Sequence, residues 1–400
     1  MISKVSRPLH YLYKVVPAMR SSSPKICFSV LLTLSTLGFL YLSPSLFSSS
    51  SPISSSTVKK PVHILIVSSW RSGSSFLGSI FNNHPDVFYI FEPGFPIWMK
   101  LSGESSELLH YPTRDLLRSL LTCDVSPLHF YLPNGGNQLS EYRYFTESRA
   151  ICTSTACQFS DESLSYDRST CLKVCGGKPL ETIEGVCRNY NHIAGKTVRI
   201  FDLKVLLPLL HDPKLDLRIL HLVRDPRAVA SSRRYFNLEV DDMIVQRGET
   251  LAQRRPSNPS PSILAIMAKI CKSQVEIHKV GRDPKYFPPG RYMLIRHEDL
   301  AWDPLPNANK VYSFGDLSMT PQLEQWLYNV THQDNSEKLD VFMSYERDAQ
   351  KVTEKWRMTM DFNEALKIQT VCREAMGLFG YLPVTSTSDL TLEMHDVEDA

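Results

Sequence analysis

Residues 62–92, VHILIVSSWRSGSSFLGSIFNNHPDVFYIFE, decide the fold of this chain. The stretch opens with an apolar, β-branched run at 63–67, which predicts a buried strand in a parallel sheet. A loop of mostly small and polar residues follows at 68–75, and helical spacing of apolar residues begins at Phe76. A strand, a short Gly/Ser loop and a helix in this order form a cradle for phosphate, because N–H groups at the helix start and the helix dipole both attract anions.

Side chains in the loop strengthen this interpretation. Ser72, Ser74 and Ser75 add hydroxyl donors, and Arg71 adds a permanent cation with several donors. The alternative is an ordinary turn, because Arg-Ser-Gly-Ser-Ser alone is a common sequence. The loop also lacks the G-x-x-x-x-G-K-[ST] pattern of a Walker A motif, which argues against an ATPase or kinase of the P-loop class.

A second motif of the same character lies far downstream. The run RILHLV at 218–223 predicts another strand, and RDPRAVASS follows directly at 224–232. Asp225 suits the N-cap of a helix, and Pro226 suits its first turn. Arg224 then lies at the carboxyl end of the strand and Ser232 about two turns into the helix, a pair that suits a second phosphate.

The two motifs together resemble the Golgi carbohydrate sulfotransferases, which use 3′-phosphoadenosine-5′-phosphosulfate (PAPS). WRSGSSFLG is similar to that family's 5′-phosphosulfate loop, and RDPRAVASS is similar to its 3′-phosphate motif. The resemblance continues through HPDVFYIFEP, RHEDLAWDP, LEQWLYNVTH and the late KWR. It is greatest to the N-acetylglucosamine 6-O-sulfotransferases, in which Ser-Ser-Trp precedes the loop, whereas galactose and chondroitin relatives usually have Thr-Thr there.

The resemblance implies an α/β protein with a P-loop-like sulfotransferase fold, in which helices flank a central, mainly parallel sheet. It implies transfer of sulfonate from PAPS, without a metal ion, to the 6-hydroxyl of N-acetylglucosamine in keratan sulfate or in mucin-type or N-linked glycans. Galactose or N-acetylgalactosamine as the acceptor sugar is an alternative. A nucleotide-dependent kinase and a glycan-binding protein that has lost catalysis are alternatives of other classes.

The resemblance also implies a set of PAPS-binding residues. These are Arg71, Ser72, Gly73, Ser74, Ser75, Phe76 and Leu77 in the first motif; Arg224, Asp225, Pro226, Arg227, Ala228, Val229, Ala230, Ser231 and Ser232 in the second; and Trp356 and Arg357 in the KWR segment. For Trp356, stacking on adenine competes with ordinary core packing.

A candidate general base follows the next predicted strand, 86–91. Glu92 stands at its carboxyl end, where open α/β sheets bind ligands, between the apolar residues Phe91 and Pro93. Desolvation there would raise the pKa of Glu92, as a base for a sugar hydroxyl requires. Related sulfotransferases favour the Glu of this FEP motif as base, so Glu92 and Arg71 are the predicted catalytic residues. In the alternative, Glu92 pairs with a neighbouring Arg or caps a turn.

Several further strands and helices are predicted, and their residues have weaker links to function. Residues 195–200 are expected to lead into a third strand at 201–204, which would bring Lys204 near the sulfonate or the acceptor unless it is simply solvated. A late strand at 291–296 precedes His297, where the family usually has Tyr, and a structural or surface role for it is favoured over catalysis. Helices are predicted at 116–123, 263–281 and 362–376.

The N-terminal residues predict a membrane anchor. Residues 1–25 carry Lys and Arg but no acidic residue, and 26–42 form an uncharged apolar run at the short end of the roughly 17–25 residues that a spanning helix needs. The positive-inside rule then places 1–25 in the cytosol. A cleaved signal peptide is the alternative, but bulky residues at 39–42 stand where a cleavage site needs small ones.

The remaining segments complete a type II Golgi membrane protein. Residues 43–61 predict a Ser/Pro-rich stem, 62–385 a luminal sulfotransferase domain, and 386–400 an acidic, disordered tail. The net charge of +2 gives no attraction to nucleic acid. The expected partners are glycan acceptor chains and the Golgi membrane, and homo-oligomerisation is left open.

The luminal domain would carry eight of the nine cysteines, an even number that predicts disulfides in an oxidising compartment. Those in 152–187 are expected to pair largely among themselves. A zinc site is not expected, because no His pair follows them at finger spacing. The only N-x-[ST] sequon begins at Asn329 and predicts one N-glycan.

Overall fold

A computed structural model describes residues 60–157, 167–247, 262–332 and 349–390, all of which belong to one compact unit that begins at Lys59. Its strands are β1 (Val62–Val67), β2 (Val87–Phe91), β3 (His192–Thr197), β4 (Asp216–Val223) and β5 (Tyr292–Arg296). They form a parallel sheet in the order β2-β3-β1-β4-β5. The predicted α/β class with a central parallel sheet flanked by helices is confirmed.

Helices connect the strands and pack on both faces of the sheet. The α-helices are α1 (Ser74–Asn83), α2 (Phe95–Lys100), α3 (Ser106–Leu121), α4 (Leu128–Tyr131), α5 (Ser154–Cys157), α6 (Arg168–Cys175), α7 (Thr182–Cys187), α8 (Leu207–Leu210), α9 (Pro226–Arg233), α10 (Glu239–Gln246), α11 (Ile263–Arg282), α12 (His297–Trp302), α13 (Pro304–Phe314), α14 (Pro321–Thr331), α15 (Ala349–Thr359), α16 (Phe362–Val371) and α17 (Arg373–Leu378). Short 3-10 helices lie at Pro133–Gly135, Leu139–Glu141, Phe145–Glu147, Leu203–Leu206 and Thr387–Leu390.

The position of the central strand, β1, explains why its sequence is continuously apolar. Every residue of β1 is buried. Leu65 and Val67 pack in one hydrophobic cluster, whereas Ile64 and Ile66 pack in a second cluster on the opposite face. Because helices cover both faces of the sheet, neither face of the strand can be polar.

The strand register brings the carboxyl ends of the strands to one edge of the sheet. Phe91 of β2 pairs with Lys196 of β3, and Val67 of β1 pairs with Thr197. On the other side of β1, Val223 of β4 pairs with Arg296 of β5. The residues that follow these ends therefore meet along a single edge, which is where open parallel sheets bind ligands.

The predicted third strand at 201–204 is wrong. β3 comes earlier, and the chain instead turns at Leu203–Leu206 because the Asp202 side chain accepts a hydrogen bond from the Lys204 backbone N–H. Such local capping competes with strand pairing. Lys204 is exposed, with its ammonium 5.5 Å from the centroid of the Tyr286 ring. The lysine at the sheet edge is Lys196.

Two of the predicted helices also have different bounds. The helix expected at 116–123 is the end of α3, which starts where Ser105 caps it and which accommodates Pro112 in its interior. The helix expected at 362–376 is divided into α16 and α17 at Cys372. The amphipathic helix predicted at 263–281 is confirmed as α11, which extends to Arg282.

Within the described ranges, no helix combines the length and hydropathy that a bilayer crossing requires. The tail predicted at 1–25, the anchor at 26–42, most of the stem at 43–61 and residues 391–400 of the acidic tail lie outside the described residues. In those same ranges, no group of three or more His, Cys, Asp or Glu side chains is arranged to hold a metal ion.

Four disulfides join the eight cysteines of the predicted luminal domain: Cys123–Cys187, Cys152–Cys171, Cys157–Cys175 and Cys271–Cys372. The expectation that the cysteines of 152–187 pair largely among themselves is confirmed, with Cys187 as the exception. The last disulfide links α11 to the end of α16, across 101 residues of sequence.

Replacing Cys271 and Cys372 together by Ala is expected to lower the free energy of unfolding by about 2–5 kcal/mol. The disulfide closes a loop with a sequence separation of 101 residues, which restricts the unfolded chain. The measurement is denaturant unfolding of the full chain. The matched control replaces Cys152 and Cys171, which are separated by 19 residues, and should cost about 1–2 kcal/mol less. A larger loss of unfolding free energy from this control pair than from Cys271 and Cys372 would contradict the explanation by loop entropy.

Candidate active site

The loop between β1 and α1 is held tightly to the sheet. Ser68 Oγ donates to the Leu222 carbonyl at 2.7 Å, and the hydroxyls of Ser69 and Ser72 are 2.6 Å apart. Arg71 and Gly73 have positive φ values of 70° and 83°. Gly73 is the N-cap of α1 and offers no side-chain acceptor to the first N–H groups of the helix. Those groups are thus placed to bind an anion.

The position of the His297 side chain also requires a glycine at position 73. A Cβ atom at Gly73 would lie 2.2 Å from His297 Nδ1, because the imidazole packs against the loop. His297 begins α12 directly after β5 and is buried. Burial, together with the nearby cation of Arg224, lowers the pKa of His297 well below its usual value. Of the two roles favoured for His297, the structural one agrees with this position and the surface one does not, because the ring is a buried, neutral group packed against the loop.

The second motif folds as its sequence predicts. Asp225 caps α9 by accepting from the Arg227 backbone N–H, and Pro226 occupies the first turn. The Arg227 guanidinium binds the Asp225 carboxylate at 2.7 and 3.0 Å and also donates to Gln369 and to the Leu382 carbonyl. Residues 225–231 are all buried and build the helix, whereas Arg224 and Ser232 keep partial exposure.

Arg71 connects the two motifs. Its Nε donates to Ser232 Oγ at 3.0 Å, and its carbonyl accepts from Arg224 Nη1 at 3.0 Å. Its guanidinium carbon lies 3.4 Å from the centroid of the Phe236 ring. Three side chains that the sequence assigned to phosphates, Arg71, Arg224 and Ser232, are therefore brought together at the ends of β1 and β4. Phe76 and Leu77 of the first motif pack instead in the core.

Glu92 lies between two cations. Its Oε1 accepts from Lys196 Nζ at 2.7 Å and its Oε2 accepts from Arg199 Nη1. Burial alone would raise the pKa of Glu92, but Lys196 and Arg199 outweigh it and lower the pKa to about 2. The expected rise in pKa is therefore wrong, because the sequence showed the apolar neighbours of Glu92 but not the two cations at the end of β3, Lys196 in the strand and Arg199 just after it.

Lys196, Arg199 and Asp241 are site residues that sequence reasoning missed. Lys196 is buried, and it also donates to Ser75 Oγ of α1 at 3.3 Å, so it links Glu92 to the helix of the phosphate loop. Arg199 reaches Asp241 Oδ1 of α10 at 3.3 Å. A correct boundary for β3 would have placed Lys196 near the carboxyl end of a strand, although not beside Phe91. No signal in the sequence indicated Asp241.

A cavity of about 630 Å³ lies next to this cluster. Its charged and amide lining comes from Glu92, Arg143, Arg199, Asn237 and Asp241, and the rest from Trp70, Phe95, Met99, Tyr144, Tyr235, Phe236, Leu238 and Val240. Small-molecule sites have this composition, with mostly apolar and aromatic walls and a few placed polar groups. Because Phe236 contacts Arg71, the cavity adjoins the phosphate loop.

The remaining predicted site residues lie away from this cavity's lining. Trp356 is 3% exposed and packs between the guanidinium groups of Arg227 and Arg357, at 4.2 and 4.8 Å from its ring centroid. This is the core-packing alternative, and stacking on adenine would require Trp356 to move. Arg357 donates to the Asp389 carbonyl at 2.6 Å. Asn329 is exposed on α14, and its N-glycan stays a prediction.

Comparison with known proteins gives consistent matches over most of the chain. The family model described as "Sulfotransferase domain" matches residues 61–380. Human carbohydrate sulfotransferase 5 is 41% identical over 83% of this chain and 81% of its own length, and human carbohydrate sulfotransferase 6 is 39% identical over 82% of each. Mouse carbohydrate sulfotransferase 4 is 38% identical over 83% of this chain and 84% of its own length.

Proposed function

Because this chain belongs to the carbohydrate sulfotransferase family, we propose that it transfers the sulfonate group of PAPS to the 6-hydroxyl of N-acetylglucosamine in glycan chains. The observation that carries the proposal is the meeting of two cationic phosphate motifs and a carboxylate-lined aromatic cavity at one edge of the sheet. Keratan sulfate and mucin-type or N-linked glycans are the proposed acceptor chains.

The groups at the sheet edge fit the two anionic ends of PAPS. Arg71 and the first N–H groups of α1 suit the 5′-phosphosulfate, and Arg224 with Ser232 suits the 3′-phosphate, because each set combines positive charge with oriented donors. When bound, PAPS supplies an activated sulfonate whose leaving group is the 5′-phosphate. Arg71 would stabilise the charge that develops on that phosphate, so positioning and electrostatics supply most of the catalysis.

The acceptor sugar is proposed to occupy the cavity. Its 6-oxygen bonds to sulfur as the bond between sulfur and the 5′-phosphate oxygen breaks in line, and the hydroxyl proton passes to a carboxylate. The resemblance of the FEP motif to the family makes Glu92, which lines the cavity, one candidate for this proton acceptor. Lys196 and Arg199 keep Glu92 ionised, but a pKa of about 2 makes it a weak base while both cations hold it.

We also propose that the reaction takes place in the Golgi lumen, with residues 26–42 as the anchor of a single-pass type II membrane protein. Four disulfides support an oxidising compartment. The exposed position of Asn329 supports an N-glycan on the same side of the membrane.

The proposal is tested with the purified full chain, labelled PAPS, and oligosaccharides ending in N-acetylglucosamine or in galactose, side by side and without divalent metal. Label at carbon 6 of N-acetylglucosamine is the expected result. Label on galactose would keep the mechanism and correct the acceptor. Absence of transfer in a chain that still binds 3′,5′-ADP (PAP) would contradict catalysis and favour a glycan-binding role.

A further inference from the structure

The cavity beside Arg71 contains a second carboxylate, that of Asp241 on α10. Asp241 is 8% exposed and lines the same cavity as Glu92. Arg199 connects the two residues, because one of its terminal nitrogens donates to Glu92 and the other donates to Asp241 Oδ1 at 3.3 Å. The two carboxylates therefore share one guanidinium and line one cavity.

The two carboxylates differ in how their oxygens are engaged. Both oxygens of Glu92 are bound by cations, one by Lys196 and the other by Arg199. Asp241 has only the longer contact to Arg199, and no donor among the described residues hydrogen-bonds its Oδ2. Oδ2 can therefore accept a hydroxyl proton without a cation bound to it, whereas both oxygens of Glu92 already accept from cations, which make that carboxylate less basic.

The charges around Asp241 also leave it the more basic of the two groups. Burial raises its pKa, Arg199 and Arg233 lower it, Glu92 raises it, and the net shift is upwards. Arg233 is itself paired with Asp242. The charged and titratable groups on the elements packed around Asp241 and across the cavity are Glu92, Glu107, Arg143, Tyr144, Arg199, Arg233, Tyr235, Asp242 and Lys269, of which Lys269 is paired with Glu107.

We infer that Asp241 is the catalytic base that takes the proton of the acceptor hydroxyl, while Glu92 holds Lys196 and Arg199 in position. This inference rests on the proposed function, since it names the base for that reaction. The acceptor oxygen bonds to sulfur, the bond between sulfur and the 5′-phosphate oxygen breaks with its electron pair on that phosphate, and the hydroxyl proton ends on Asp241 Oδ2.

The test compares Asp241→Asn with Asp242→Asn in the purified full chain. Asp242 is the next residue of the same helix and is also paired with a buried arginine, Arg233, but it does not line the cavity. The readouts are PAP affinity and kcat as a function of pH. Asp241→Asn is expected to lower kcat by about 100-fold or more, as loss of a general base does, with PAP affinity within about twofold of wild type. Asp242→Asn should stay within about fivefold in kcat.

The pH profile separates the two carboxylates. With Asp241 as base, the wild-type kcat falls on the acidic side as Asp241 becomes protonated, at a pH above the ordinary Asp value of 3.8. This acidic limb should be absent from the residual activity of Asp241→Asn. With Glu92 as base, the limb would lie near pH 2, so that activity would be flat above about pH 4.

Two kinds of result would overturn the inference alone: a kcat for Asp241→Asn above about one tenth of wild type, or equal losses of kcat or PAP affinity in both variants. If Asp241→Asn fails to fold, Asp241→Glu replaces it and is expected to keep activity with a displaced acidic limb; an unmoved limb would count against Asp241. Failure of wild type to transfer sulfate to any sugar would instead overturn the proposed function, and this inference with it.

Discussion

Arg71→Ala is expected to reduce sulfonate transfer by at least about 100- to 1,000-fold, the loss that follows removal of one preorganised donor at a developing negative charge. Arg71 is partly exposed and lies outside the hydrophobic clusters on the two faces of the sheet, and its guanidinium contacts Ser232 Oγ and the Phe236 ring. We therefore expect the variant to stay folded and to lose catalysis rather than stability.

The measurement is kcat for labelled sulfate transfer, with a thermal melt of each protein. Arg71→Lys is the first control, because it retains the charge but not the planar fork of donors, and it should recover only part of the rate. Lys204→Ala is the second, since Lys204 is exposed over Tyr286 and should leave the rate unchanged. A fully active, folded Arg71→Ala protein would remove Arg71 from the active site.

The first motif was predictable because all the residues that define it are neighbours in the sequence. A β-branched run, a Gly/Ser loop and an apolar helix at 62–83 describe β1, the loop and α1 without knowledge of the rest of the chain. The same holds for α9, where Asp225 and Pro226 specify the cap and the first turn. Local propensities act over a few residues, and these elements are no longer than that.

The ion cluster around Glu92 was not predictable, because it depends on strand order and register. Lys196 contacts Glu92 only because β3 lies between β1 and β2, and because Phe91 pairs with Lys196. An error of several residues in the position of β3 was enough to direct attention to Lys204. The position of Asp241 is harder still to predict from the sequence, because it depends on the path of the chain from α9 to α10.

Glu92→Gln is expected to lower the free energy of unfolding by roughly 3–5 kcal/mol near neutral pH, the usual cost of removing one partner from a buried ion pair. Glu92 is the anion for Lys196, which is 2% exposed, and the nearer anion for Arg199. A neutral amide leaves Lys196 buried without a carboxylate, whereas Arg199 keeps its contact to Asp241. The effect therefore falls mainly on Lys196.

The loss of stability in Glu92→Gln is expected to depend on pH, whereas a loss caused by defective packing would not. The pKa of Glu92 drops from 4.5 to about 2 on folding, so its contribution of about 3 kcal/mol is complete above pH 4.5 and is lost as pH falls towards 2. The stability difference between wild type and Glu92→Gln, measured by urea unfolding, should shrink over that range.

Glu298→Gln supplies the matched control, because it changes another buried carboxylate at the same edge of the sheet. Glu298 accepts from the Asp225 backbone N–H and from Tyr381. Burial raises its pKa above the usual value, so its ionisation costs stability as pH rises. The stability difference for Glu298→Gln should therefore change with pH in the opposite direction. Parallel pH trends in the two variants would contradict the assignment of Glu92 as the anion that holds Lys196 and Arg199.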